Sequence, residues 1–230
     1  MPLELYYWKT HGRAAIIRIL LKYFEVDYVE KNPASKEEYI QLATEVQNTK
    51  GLNFINLPFI VDGDFALSES TAIPYYICKK YGNPEFYGKD LIEEAHVKEL
   101  EGVTLDLAMI IGLAAIKPDH KAALTESFKE GSKGDGLLKK LSKFLGDKKF
   151  LLGDEFKFPD LGLTTIIGFI NSALKSAEVE NVLDKYGNLV ALGKRVQAIP
   201  KIKAYIESEE FKALPNAPPG MLTWLVDHGL

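Results

Sequence analysis

Residues 54–77, FINLPFIVDGDFALSESTAIPYYI, constrain this chain more than any other stretch. Residues 57–61 are a short apolar run, and Asp62-Gly63 is a hairpin signal, because glycine accepts a positive φ at no steric cost. Phe65-Ala66-Leu67 predicts the returning strand. Glu69-Ser70 opens a helix with apolar residues at Ala72, Ile73, Tyr76 and Ile77. Pro58 stands at the entrance of the first strand. A proline removes a ladder donor, so it marks an edge or a turn, and it permits a cis bond. Backbone groups before Pro58 are then free to hold an extended peptide. The helix N-terminus beside them attracts anions such as a ligand carboxylate. The same features also fit a hairpin and helix with no ligand.

The chain has 230 residues, enough for one large domain or two small ones. A formal charge of −4 offers no electrostatic footprint for nucleic acid or an anionic membrane. No apolar run approaches the ~18 residues of a membrane span, and the N-terminus lacks a signal-peptide profile. The lone cysteine, Cys78, excludes an intrachain disulfide and fits a reducing compartment, so cytoplasm is the expectation.

Residues 3–8, LELYYW, read as a strand, followed after Gly12 by a helix with Ala15, Ile16, Ile19, Leu20 and Tyr23 at helical spacing. Tyr28-Val29 is a second strand, and Ser35 to Glu38 is a capping-box signature opening another helix. Strand, helix, strand, helix, hairpin and helix predict an α/β layer with a mixed sheet over residues 1–82. Gly82-Asn83-Pro84-Glu85 reads as a linker, extending over 83–90. From Leu91 onward the pattern is all helical: a long helix to about Pro118, a second over 121–145 broken near Gly131, Gly134 and Gly136, an apolar central helix over 160–174, and final helices at 189–197 and 200–211. Pro215, Pro218 and Pro219 force an extended tail before residues 221–228.

Two motifs in the right order, MPLELYYWKTHGRAAIIRILL and NLPFIVDG…LSESTAI, resemble cytosolic glutathione transferases of the tyrosine type, nearest the mu and sigma classes. The resemblance implies a thioredoxin-like N-terminal domain (1–82) and an all-α C-terminal domain (91–230). It also implies glutathione as cosubstrate with no permanently bound cofactor, and detoxifying conjugation to hydrophobic electrophiles.

By that resemblance Tyr7 is the catalytic residue, its hydroxyl donating to the glutathione sulfur, while its neighbour Tyr6 points to the other face. A free thiol of pKa ~8.5 is only about 3% ionised at pH 7. One charge-assisted hydrogen bond of ~1.5–3 kcal/mol lowers that pKa by roughly one to two units. No metal or protein nucleophile is then needed. Arg13 resembles the sigma-class arginine that helps activate the thiol. Trp8 would meet the glycine end of glutathione, Asn56 and the backbone of Leu57 before Pro58 the peptide, and Glu69 and Ser70 the γ-glutamyl end. Gln47 and Lys50 are alternatives for the glycine carboxylate. Asp106 resembles a mu-class aspartate that reaches the neighbouring subunit's glutathione, and Phe54 an aromatic that plugs into the partner. Both imply a homodimer with two-fold symmetry. Thr10, Met109, Leu113, Ile116 and Trp224, with Tyr7, are the candidate acceptor lining.

Several residues depart from the family pattern. Glu69 stands where Gln is commoner, and Ile116 where mu enzymes carry a tyrosine. Lys157 stands where a Ser/Thr helix cap is expected, at a cost of ~1 kcal/mol. Pro74 stands early in a helix, removing an amide donor. Mu chains carry a second tryptophan before the N-L-P motif that contacts the glycine end of glutathione; here that segment has none, Ala43 and Val46 being the nearest positions. The four histidines, His11, His96, His120 and His228, are scattered without acidic partners at triad or metal spacing and read as surface residues. Cys78 reads as core. There is no phosphate loop and no Cys-x-x-Cys, which excludes dithiol chemistry. Glutathione-dependent isomerisation, as in sigma-class prostaglandin synthases, and a non-catalytic carrier of apolar ligands remain alternatives to conjugation.

Overall fold

The computed structural model describes residues 1–179 and 182–215. The described residues divide into two compact units, one of residues 1–84 with 200–215, the other of residues 85–199.

The first unit holds a mixed sheet of β1 (Leu3–Tyr6), β2 (Tyr28–Lys31), β3 (Phe59–Asp62) and β4 (Phe65–Ser68), in the order β2-β1-β3-β4. β1 runs parallel to β2 and antiparallel to β3, and β3 and β4 form the expected hairpin around Gly63, whose φ is 65°. A parallel pair needs a crossover. Here it is a 3-10 turn, Gly12–Ala14, and the helix α1 (Ala15–Tyr23). The helix α2 (Lys36–Lys50) joins β2 to β3, and α3 (Ala72–Tyr81) follows β4.

Strand alternation decides what each tyrosine at the end of β1 does. Tyr6 opposes Phe59 with the rings stacked 4.2 Å apart, and both are buried with Val61 and Ala66 against Ala43, Val46 and Leu52. One residue back, Leu5 opposes Ile60 and points to the other face, where both are fully buried. The cap of α2 forms as its sequence predicts. Ser35 Oγ accepts the Glu38 amide at 3.2 Å, and the Glu38 carboxylate accepts the Ala34 amide at 2.7 Å.

Helix α3 begins later than expected. Glu69 has a left-handed φ of 79°, and the amides of Ala72 and Ile73 both donate to its carbonyl, so Glu69 and Ser70 precede the helix. Pro74 lies in the first turn of α3, early in the helix as expected, where a proline without an amide donor is tolerated.

The second unit contains α4 (Leu91–Ala115), α5 (His120–Phe128), α6 (Lys133–Leu145), α7 (Phe158–Ser176) and α8 (Gly187–Gln197). The break expected within 121–145 falls between α5 and α6, where Gly131 has a φ of 81°. Helix α7 packs against α4, α5 and α8 and buries Leu161, Leu163, Ile167, Ile170 and Leu174. Within the expected linker, Phe86 and Tyr87 are buried. The remaining helices, α9 (Pro200–Ile206) and α10 (Glu209–Lys212), belong to the first unit. Lys201 pairs with Glu25 at 2.6 Å, and Glu210 with Lys22 at 2.9 Å.

Lys157 caps α7 without a side-chain acceptor, as an ammonium must. Its charge is nevertheless paired. Nζ lies 2.6 Å from Glu93 and donates to the Glu85 carbonyl at 3.3 Å. The other half of the capping box survives, because the buried Asp160 carboxylate accepts the amides of Lys157 at 2.9 Å and Leu151 at 2.7 Å.

Burial pushes the Asp160 carboxyl up to about 6, although the Leu151 and Lys157 amides, Arg195 and Lys148 all favour its charge. The unfolded carboxyl ionises near 3.9, so between about pH 4 and 6 the folded state binds more protons. Stability from this group therefore falls as pH rises through that window. Asp160→Asn offers one oxygen to two amides, so it is less stable throughout but lacks the decline. The stability gap between wild type and Asp160→Asn is expected to narrow by about 2 kcal/mol from pH 4 to 6. Urea midpoints across that range measure it, and a constant gap would show that Asp160 titrates normally.

Candidate functional site

Because β1 stops at Tyr6, Tyr7 and Trp8 start the loop that leads into α1. The two tyrosines are equally buried but differently engaged. Tyr6 donates its hydroxyl to the Glu4 carboxylate at 2.7 Å, with its ring in the core against α2. The Tyr7 hydroxyl accepts the Arg13 backbone amide at 2.9 Å and keeps its own proton to donate. Gly12 makes this closure possible. Its φ is 37°, and a Cβ there would lie 2.5 Å from the Tyr7 oxygen. Burial raises the Tyr7 pKa, opposed by the Arg13 amide and by the charges of Arg13 and Arg18. The phenol is therefore protonated at neutral pH.

A buried ion pair shapes this loop. Arg18 is 1% exposed and its guanidinium grips Glu30 of β2 through two contacts, at 2.6 and 3.0 Å. The same guanidinium donates to the carbonyls of Thr10, Trp8 (3.3 Å) and His11 (3.5 Å). Asn32 adds Nδ2 donation to the Tyr7 carbonyl and to Glu30, each at 2.9 Å. Sequence reasoning missed Arg18, Glu30 and Asn32. One signal was present: Arg18 is the single charge in the apolar run AAIIRILL, and such a charge must be paired.

Asn56, Leu57, Pro58, Glu69 and Ser70 sit around the entrance of β3 and the loop before α3. The Leu57–Pro58 bond is cis, and Asn56 Nδ2 donates to the exposed Glu69 carboxylate at 3.1 Å. Gln47 and Lys50 share the last turn of α2. Lys50 pairs with Asp64 of the hairpin at 2.6 Å, while Gln47 is exposed. Trp8 is half-buried with its ring edge-on to Tyr39, 5.8 Å away. Arg13 is exposed, Thr10 is buried, and Phe54 is 69% exposed.

On the second unit, Met109 and Leu113 are exposed on α4, and Ile116 is half-buried just past its end. Asp106 is exposed, 3.4 Å from Lys133. Trp224, like His228, lies outside the described residues. The surface reading of the histidines holds for His96 and His120, which are exposed, and needs one correction. His11 is buried, because Phe211 and Pro215 cover it, while the exposed His96 lies 3.1 Å from Glu99 in a surface pair. Cys78 is fully buried, as its helix face predicts. Among the described residues no group of three or more His, Cys, Asp or Glu side chains is placed to hold a metal, and no helix is long and apolar enough to cross a membrane.

Known proteins resemble this chain in both sequence and architecture. Residues 1–79 match the family model described as Glutathione S-transferase, N-terminal domain, and residues 106–209 that described as Glutathione S-transferase, C-terminal domain. Glutathione S-transferase 2 of Gallus gallus is 32% identical over 222 residues, covering 94% of each chain. Glutathione S-transferase Mu 1 of Oryctolagus cuniculus is 31% identical, over 94% of this chain and 95% of its own. A solved structure of rat hPGDS complexed with a quinoline aligns with a TM-score of 0.73 at 25% identity, over 89% of this chain and 95% of its own. With both domains matched and the likeness running nearly end to end, the chain belongs to the glutathione S-transferase family.

Proposed function

We propose that this protein conjugates glutathione to hydrophobic electrophiles, with the Tyr7 hydroxyl holding the glutathione sulfur as thiolate. The observation that carries this is the state of the phenol. It is protonated, desolvated, and fixed by an amide on its acceptor side, so its one proton is free to be donated to a sulfur. A donor held in place before the ligand arrives costs no reorganisation, and burial strengthens the bond it makes.

Residues 1–82 supply the glutathione site in this reading. Asn56 and the Leu57 backbone before Pro58 hold the peptide, Glu69 faces the γ-glutamyl ammonium and Ser70 its carboxylate. The Asn56–Glu69 hydrogen bond supports the assignment by orienting the acid. Trp8 meets the glycine end. Lys50 already carries Asp64, which favours Gln47 for the glycine carboxylate. Arg13 adds positive charge beside the thiolate. The sulfur attacks an electrophilic carbon, a C–S bond forms, and the leaving group departs with the bonding pair. Proximity and thiolate stabilisation supply the rate. Thr10, Met109, Leu113 and Ile116 are the proposed acceptor lining. The 69% exposure of Phe54 supports its role as a dimer plug, with Asp106 of each subunit serving its partner's glutathione.

Conjugation of glutathione to chlorodinitrobenzene, paired with retention on immobilised glutathione, tests the proposal. Turnover with retention is expected. Retention without turnover would replace the transferase by a carrier or an isomerase, and the loss of both would end the glutathione assignment.

A further inference from the structure

Among the described residues, four buried polar atoms lack a hydrogen-bond partner: Thr10 Oγ1, His11 Nδ1, Tyr28 Oη and Tyr205 Oη. His11 stands apart in what it joins. Its amide donates to the Pro215 carbonyl at 2.8 Å. Its ring lies 4.2 Å from the Phe211 ring, tilted by 46°. Its own carbonyl accepts from Arg18 at 3.5 Å. Residue 11 is thus held by α1, by α10 through Phe211, and by Pro215 beyond it. Burial first, and the charge of Arg18 second, lower the imidazole pKa, so the ring packed on Phe211 is neutral at pH 7.

The two residues that follow shape the Tyr7 hydroxyl. Gly12 packs against the phenol and Arg13 supplies its amide. An N–H···O bond of 2.9 Å weakens steeply once distance or angle slips, so a small shift at residue 11 reaches that bond through two peptide units.

We infer that His11 is a positioning residue, through which residues 209–215 hold the Gly12–Arg13 peptide against the Tyr7 hydroxyl. Its consequence for turnover rests on the transferase reading above; its effect on the phenol rests on geometry alone. The last described helix of the chain therefore helps set the donor strength of a residue near the first.

The test uses His11→Ala, Phe211→Ala and the double variant in the full chain. Fluorine NMR of fluorotyrosine-labelled protein without glutathione reports the Tyr7 resonance, assigned by its absence in Tyr7→Phe. The pH profile of kcat/KM for conjugation is measured alongside. Each single variant is expected to move the Tyr7 resonance and to lower kcat/KM at pH 6.5 several-fold, with the acid limb shifted upward. The double variant is expected to be no worse than the stronger single, because both break one link. Phe211→Ala leaves residues 8–13 unaltered and carries the test should His11→Ala not fold. A fall in thermal stability with resonance and pH profile unmoved would overturn the inference and leave His11 purely structural. If the wild type never turns glutathione over, the transferase reading fails by itself. A moved resonance then still supports the link, and an unmoved one removes it.

Discussion

Tyr7→Phe is expected to lower kcat/KM for glutathione conjugation by about 10–100-fold at pH 6.5 and to shift the acid limb of the pH profile up by one to two units. The substitution removes one O–H and leaves the ring. Bound glutathione then ionises with a pKa closer to that of the free thiol, ~8.5. The loss is therefore steepest where the wild type is already thiolate and the variant is not. It shrinks as pH rises, because both proteins then hold thiolate. The Arg13 amide also loses its acceptor, which adds a smaller cost that does not depend on pH. Tyr6→Phe is the control, since its hydroxyl donates to Glu4. Steady-state rates for the three proteins from pH 6 to 9 decide the matter. A loss of equal size at every pH, or an equal loss in Tyr6→Phe, would remove Tyr7 from thiolate stabilisation.

Glu30→Ala is expected to cost about 3–5 kcal/mol of stability, the penalty for stranding a buried charge. Arg18 is 1% exposed and Glu30 only 26%, so water cannot replace the lost carboxylate cheaply. In many proteins, replacing both members of such a pair by apolar residues restores stability. Here it should not. The guanidinium also serves the carbonyls of Trp8, Thr10 and His11, and Arg18→Met with Glu30→Ala would leave all three without that donor. The double variant is expected to be no more stable than Glu30→Ala. Urea denaturation monitored by tryptophan fluorescence and circular dichroism would show it, and recovery in the double variant would mean that the carbonyl contacts contribute nothing.

Features governed by near neighbours were legible in the sequence. The Gly63 turn, the Ser35 cap and the apolar α7 each follow from residues within a few positions of one another, and each forms as its residues predict. The start of α3 was misplaced because Glu69 adopts a left-handed backbone, a conformation that no side-chain pattern announces for glutamate. Arg18 sits among α1 residues whose spacing defines a helix but not what its charge will meet. Its partner lies on β2, and parallel pairing with β1 is what brings Glu30 within reach. His11 was hidden for a similar reason, since the residues that bury it lie about two hundred positions away. The Tyr7 site was reached by resemblance to known transferases. Spacing alone did not separate it from Tyr6, whereas strand alternation and the Arg13 amide do.

The first unit is assembled from both ends of the chain, and this orders its birth on the ribosome. Residues 1–84 emerge early, but α9 and α10 follow only after residues 85–199 have been made. At about 5–20 residues per second that interval lasts roughly 6–23 s. Throughout it Lys22, Glu25 and His11 stand without the partners that later cover them. A chain truncated before Pro200 is expected to leave these three residues uncovered for good and to bury less of the first unit, which faster amide exchange in α1 would show.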